Sequence, residues 1–227
     1  MTKARAALSD STAGRGNRLT GAGVVLIGAA QFFVAQVIVQ WRWTTPFSLA
    51  TNFISDLGNT TCGLYPAVGG AYVCSPWHAL MNVSFVLQGV IILAGAALGR
   101  AAVEGLRGGW VVLALLVVTA LGIAGVGVFP EDVNNGAHVI SAGTQFVTGN
   151  AAMIVFGAGA RRAGRWRAFG AVSIALGVAG LLATGLFVQG YGLGLGVAGM
   201  ERVAAYTLPV WLIASGALLV KLNSGRA

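Results

Sequence analysis

Six runs of about twenty apolar residues, separated by short arginine-bearing turns, constrain this chain more than any other feature. A run of that length and character is what an α-helix needs to cross the hydrocarbon core of a bilayer. The runs are Gly21 to Trp41, Trp77 to Leu98, Trp110 to Val128, Gly136 to Gly159, Phe169 to Val188 and Val203 to Val220. A soluble helical bundle would carry polar faces at helical spacing, and most of these segments carry none. Only 9% of the 227 residues are charged, against roughly 25% in ordinary soluble domains. The 35 glycines fit the same class, because small residues let spanning helices approach closely. The fold class expected is an all-α membrane protein, a six-transmembrane helix bundle over residues 21–221.

Local signals place the ends of the runs. Ser75-Pro76 supplies a cap and a first-turn proline for the second helix. Pro130 stops the third, Asn134-Asn135 precede the fourth, and Pro209 lies inside the sixth. Residues 1–20 are small, polar and basic, which predicts a disordered N-terminal tail. A cleaved signal peptide is the competing reading of the first run, but that run is long and has no convincing small-x-small cleavage site.

Six spans leave seven flanks that alternate between the two sides. One side receives Lys3, Arg5, Arg15, Arg18, Arg100, Arg107, Arg161, Arg162, Arg165, Arg167, Lys221 and Arg226, which is 12 of the 14 basic residues. The other receives Arg42 and Arg202. Positively charged loops stay cytoplasmic, so both termini are expected inside the cell and the long Arg42–Pro76 loop outside. The net charge of +8 is thereby accounted for. It forms no basic stripe with interleaved aromatics, so nucleic acid is not an expected partner and membrane lipids are.

The outer loop holds both cysteines, Cys62 and Cys74. An oxidising compartment favours a disulfide between them, and closing so short a loop would contribute about 3 kcal/mol. Two buried free thiols are the alternative. No C-x-x-C is present to support a redox or zinc role.

Chemistry-bearing residues gather on that same side. Asp56, Glu131, Asp132 and Glu201 are four of the six acids, while His78 opens the second helix and His138 the fourth. Such groups are costly near hydrocarbon and face a bundle interior or a wet cavity. His138, Ser141, Gln145 and Thr148 follow i, i+3, i+7, i+10 spacing and line one helix face. His78 shares a face with Asn82. An outward-facing polar pocket built by the first, second, fourth and sixth helices is expected, with the third and fifth facing lipid. The same residues also read as helix caps and interhelical hydrogen-bonding glue.

Several chemistries fit this set. A lipid or other amphiphile headgroup could bind there, with Arg202 or Arg42 paired to phosphate. A hydrolase or transferase would use His78 or His138 as base with Asp56 and Asp132. A metal held by His78, His138 and two carboxylates has no local spacing motif to support it. No acid lies in the middle of a span, which argues against a proton-coupled transporter; an accessory subunit of a membrane complex remains open. No nucleotide-binding or serine-hydrolase motif is present, and no cofactor is specified. The Gly190–Gly196 stretch reads as a flexible outer connection.

Four elements in order carry a resemblance: Phe53-Ile-Ser-Asp-Leu-Gly58, the Cys74-Ser-Pro-Trp-His-Ala-Leu-Met-Asn-Val-Ser-Phe85 run, Phe129-Pro-Glu-Asp-Val-Asn134 with His138, and Glu201-Arg202 before Trp211. In these the chain resembles the bacterial and archaeal membrane proteins grouped as domain of unknown function 998. The Ile-Ser-Asp-x-Gly element is more loosely similar to the six-helix damage-regulated autophagy modulator family. The first resemblance implies a multi-pass protein of a prokaryotic plasma membrane and brings no reaction with it. It singles out Ser55, Asp56, His78, Asn82, Glu131, Asp132, His138, Glu201 and Arg202.

Overall fold

The structure, a computed structural model, describes residues 2–65 and 71–224. Of the basic residues counted above, Arg226 lies outside the described residues, as do the side chains of Lys3, Arg5, Arg15 and Arg165. Seven α-helices form six helices long and apolar enough to cross a membrane. The first is composite: α1 (Thr2–Ile27) and α2 (Gln31–Trp41) are joined by a tight turn of 3-10 helix, Gly28–Ala30. Then follow α3 (His78–Val103), α4 (Gly109–Val128), α5 (Asn135–Ala160), α6 (Arg167–Val188) and α7 (Val197–Ser224). The segment expected to be a disordered tail is helical from Thr2 onward.

The last helix starts at Val197, six residues before the expected Val203. Glu201 and Arg202 therefore lie in its first turns, where the sequence reading had them in a loop. Pro209 lies within the continuous helix.

Each spanning helix packs on its neighbours in the chain, and α7 closes the ring against α1. Van der Waals contact has to hold such a ring together, since lipid tails are as apolar as leucine. Glycines supply the close approaches. A Cβ placed on Gly23 would meet the Gly216 carbonyl oxygen at 2.6 Å, and one on Gly216 would meet that of Gly23 at 2.5 Å. Gly95 and Gly99, a small-xxx-small pair in the sequence, face Leu26 and Ala22 across the α1–α3 contact.

Polar side chains stitch the same interfaces deeper in the bundle. Ser84 donates to Gln31 at 2.8 Å and Tyr206 to Gln36 at 2.7 Å. Thr207 donates to Asn150 at 2.9 Å and Trp211 to Ser173 at 2.8 Å. On α4, expected to face lipid, Thr119 meets Thr148 at 2.8 Å.

The long connection between α2 and α3 sits at the end of the bundle where α3, α5 and α7 begin. It contains a 3-10 turn, Ser55–Gly58, and a short antiparallel hairpin, β1 (Gly63–Tyr65) with β2 (Ala71–Val73). Gly63 pairs with Val73, so the next positions outward are Cys62 and Cys74. They form a disulfide that closes the base of the hairpin.

Candidate functional site

The loop enters the mouth of the bundle instead of lying over it. Phe53, Ile54, Asp56 and Leu57 are all buried. Irregular backbone at this depth needs partners for every N–H and C=O, and the nearby polar side chains provide them. Glu201 accepts the Ile54 N–H at 2.7 Å, and Asp56 accepts that of Phe53 at 2.8 Å. Ser75 donates to the Leu57 carbonyl at 2.7 Å and Asn82 to that of Gly58 at 2.9 Å. One terminal nitrogen of Arg202 donates to the carbonyls of Leu49, Asn52 and Ala198 at 3.1, 2.7 and 3.0 Å. Gly196, in the left-handed region at φ 78°, brings the start of α7 against the Ala50 carbonyl, where a side chain would collide. The Gly190–Gly196 connection thus docks on the loop.

Beside this seal lies a cleft of about 540 Å³. Its polar residues are Ser55 and Glu131 from the connections, His138 from α5, Thr184 from α6 and Glu201 from α7; Phe53, Phe146 and Phe187 supply aromatic walls. A smaller cavity of about 30 Å³ behind it shares Ser55, His138, Phe146 and Glu201 and reaches Gln145. It has room for a water molecule or two. At the rim Val139 is 59% exposed and Val188 72% exposed, whereas His138 and Glu201 on the floor are each only 6% exposed.

His138 is oriented. Its Nδ1 lies 2.9 Å from the Phe129 carbonyl oxygen. A carbonyl only accepts, so Nδ1 carries a proton and Nε2 is the nitrogen left for other chemistry. The carbonyl belongs to the residue just before Pro130, so the turn between α4 and α5 aims the ring.

Two carboxylates of the connections, Asp56 and Asp132, behave oppositely. Burial pushes the Asp56 carboxyl up to about 6, with nearby Glu131 adding to the rise and the Phe53 N–H and Asn52 side chain opposing it. Asp132 is held below its usual range. Partial burial acts to raise it, but the N–H and hydroxyl groups of Thr60 and Thr61 all donate to one oxygen and outweigh that. Asp132 is a clamp between the loop and the α4–α5 connection, and it does not line the cleft.

The expected site residues therefore divide. Ser55, Glu131, His138 and Glu201 converge on the cleft, with Gln145 on the cavity behind it. Asp56 is buried next to them in the loop. His78 lines neither space; its Nδ1 contacts the Ser75 carbonyl at 2.9 Å, at the start of its own helix. Asn82 is engaged with Gly58. Ser141 turns toward α4, where a Cβ on Gly125 would sit 2.5 Å from its hydroxyl. Arg202 holds loop carbonyls, and Arg42 stacks on the rings of Trp41 and Trp77. Neither guanidinium lines the cleft as a phosphate partner would. Among the described residues no group of three or more His, Cys, Asp or Glu side chains could hold a metal ion, so the His78–His138 metal set does not form.

The sequence reading missed α6, which was expected to face lipid but contributes Thr184, Phe187 and Val188 to the cleft. A threonine and a phenylalanine near the end of an otherwise featureless apolar helix were the available signal.

The family described as Protein of unknown function (DUF998) matches residues 26–218. The chain belongs to that family. No curated protein and no solved structure matches it.

Proposed function

We propose that this DUF998 member is a multi-pass membrane protein whose cleft receives the polar head of an amphiphile. The observation that carries this reading is the cleft's gradient. Exposed Val139 and Val188 form an apolar rim on spanning helices, while His138 and Glu201 form a buried polar floor beside the half-buried Ser55. An acyl chain lying against the rim puts its headgroup over the floor. The side of the membrane follows from charge: the arginine-rich turns lie at the opposite end, so the cleft faces the outside. The Cys62–Cys74 disulfide suits an oxidising compartment at the loop end.

Mass spectrometry of lipids retained through purification tests the reading. The wild-type protein retains a defined amphiphile, and His138→Ala or Glu201→Gln loses it while remaining folded. Identical lipid profiles in all three proteins overturn it.

A second reading, hydrolysis or group transfer on a lipid head, draws on the fixed His138 ring. With Nδ1 donating to Phe129, Nε2 is left to serve as a general base in a cleft that Ser55 and Glu201 also line. Turnover of a lipid panel that disappears in His138→Ala supports it, and an inactive wild type counts against it.

A further inference from the structure

The lining of the cleft specifies what kind of head it would take. No lysine or arginine lines it, while Glu131 and Glu201 do. Among the described residues the single salt bridge is Arg100–Glu104, at the other end of the bundle. Glu201 is nine-tenths buried, and its known partner is an amide N–H, not a cation. The neighbouring Arg202 guanidinium acts on it electrostatically but is bonded to loop carbonyls and makes no ion pair with it. A buried carboxylate without an ion-pair partner is costly, and a positively charged ligand relieves that cost where a phosphate aggravates it.

The aromatic walls point the same way independently. The Phe187 ring centroid lies 5.7 Å from that of Phe53 with the planes at 63°, and 6.2 Å from that of Phe146 at 89°. Phe53 and Phe146 thus pack edge-to-face with Phe187, and a π-face that such a cluster turns to the cleft attracts an alkylammonium group. Apolar methyl groups on that ammonium would also contact the rings favourably.

We infer that the cleft binds an alkylammonium group, held by Glu131 and Glu201 against the Phe53, Phe146 and Phe187 rings. This rests on the headgroup reading above and narrows it to one chemistry. His138, with Nε2 as its remaining acceptor, takes a hydrogen bond from the neighbouring part of the head.

The experiment uses the full chain in a neutral maltoside detergent with three probes of equal tail length: dodecyltrimethylammonium, glycerol monolaurate and dodecyl phosphate. The ammonium is expected to bind at least about tenfold more tightly than either of the others. Glu131→Gln and Glu201→Gln should each weaken it about tenfold, and Phe187→Leu several-fold, the loss for the ammonium exceeding any loss for monolaurate. Tighter binding of the phosphate, or an ammonium preference that survives both Gln variants, overturns the inference while leaving the headgroup reading intact. Binding of none of the three ends both. Choline, which has no tail, identifies the source. If it displaces the ammonium probe at equal concentration the ligand is a soluble cation, and the headgroup reading alone falls.

Discussion

The Glu201 carboxylate accepts the backbone N–H of Ile54 at 2.7 Å across 147 residues of chain. A single bond thus ties the loop after the first spanning helix to the first turns of the last one. It also fixes one carboxylate oxygen, so the shape of the cleft floor depends on the loop staying docked.

Removing that acceptor strands a buried N–H. Glu201→Ala should cost about 1–3 kcal/mol, read as a lowered thermal midpoint in detergent. Glu201→Gln keeps a carbonyl oxygen in place and should cost distinctly less. Equal losses in the two variants would show that the Ile54 contact contributes little.

Asp56 gives a pH dependence with a definite sign. Its folded pKa of about 6 exceeds the ordinary 3.8, so the folded state holds a proton that the unfolded state gives up first. Its contribution is neutral below about pH 4 and becomes increasingly unfavourable as pH rises through 6. At neutral pH the penalty is on the order of 3 kcal/mol. Asp56→Asn retains an acceptor for the Phe53 N–H and should flatten this component. The check is the difference in stability between wild type and variant from pH 4 to 7; a difference independent of pH refutes it.

Reduction of Cys62–Cys74, or Cys74→Ser, should lower stability by about 3 kcal/mol, the entropy of closing a loop with sequence separation 12. The released thiols should react with an impermeant maleimide added outside intact cells. Labelling that requires permeabilised cells would invert the proposed topology.

At the ring closure, Gly216→Ala places a methyl group 2.5 Å from the Gly23 carbonyl oxygen, a backbone atom that cannot swing aside. The expected loss is about 1–3 kcal/mol, as for overpacked interiors. Gly185→Ala, with open space around its Cβ position, is the control and should be close to neutral or slightly stabilising.

The six spans were legible because the bilayer demands long apolar runs, and that demand overrides local detail. Helix ends were less so: Val197–Arg202 follows a glycine-rich stretch, and only the docking of Gly196 on Ala50 explains why the helix begins there. For the site, the sequence brought Ser55, Glu131, His138 and Glu201 to one end, since parity alone decides which end a residue reaches. Parity says nothing about azimuth. His78 and His138 share a level by that argument, yet their Nδ1 atoms contact different carbonyls, those of Ser75 and Phe129, and only His138 lines the cleft. The i, i+3, i+7, i+10 stripe on α5 likewise faces partly into α4, through Ser141 and Thr148. Phe187 and Thr184 gave only a weak signal, because an apolar helix gives no clue to which of its sides meets a neighbour.

Because the Gly23–Gly216 contact joins the earliest and latest spans, biogenesis has an order built into it. As the ribosome delivers helices one after another, the leading one has an unsatisfied flank until α7 emerges. The Ile54 amide waits equally long for Glu201. A premature stop before α7 therefore leaves both a torn seam and an undocked loop, making such fragments ready targets for membrane quality-control proteases.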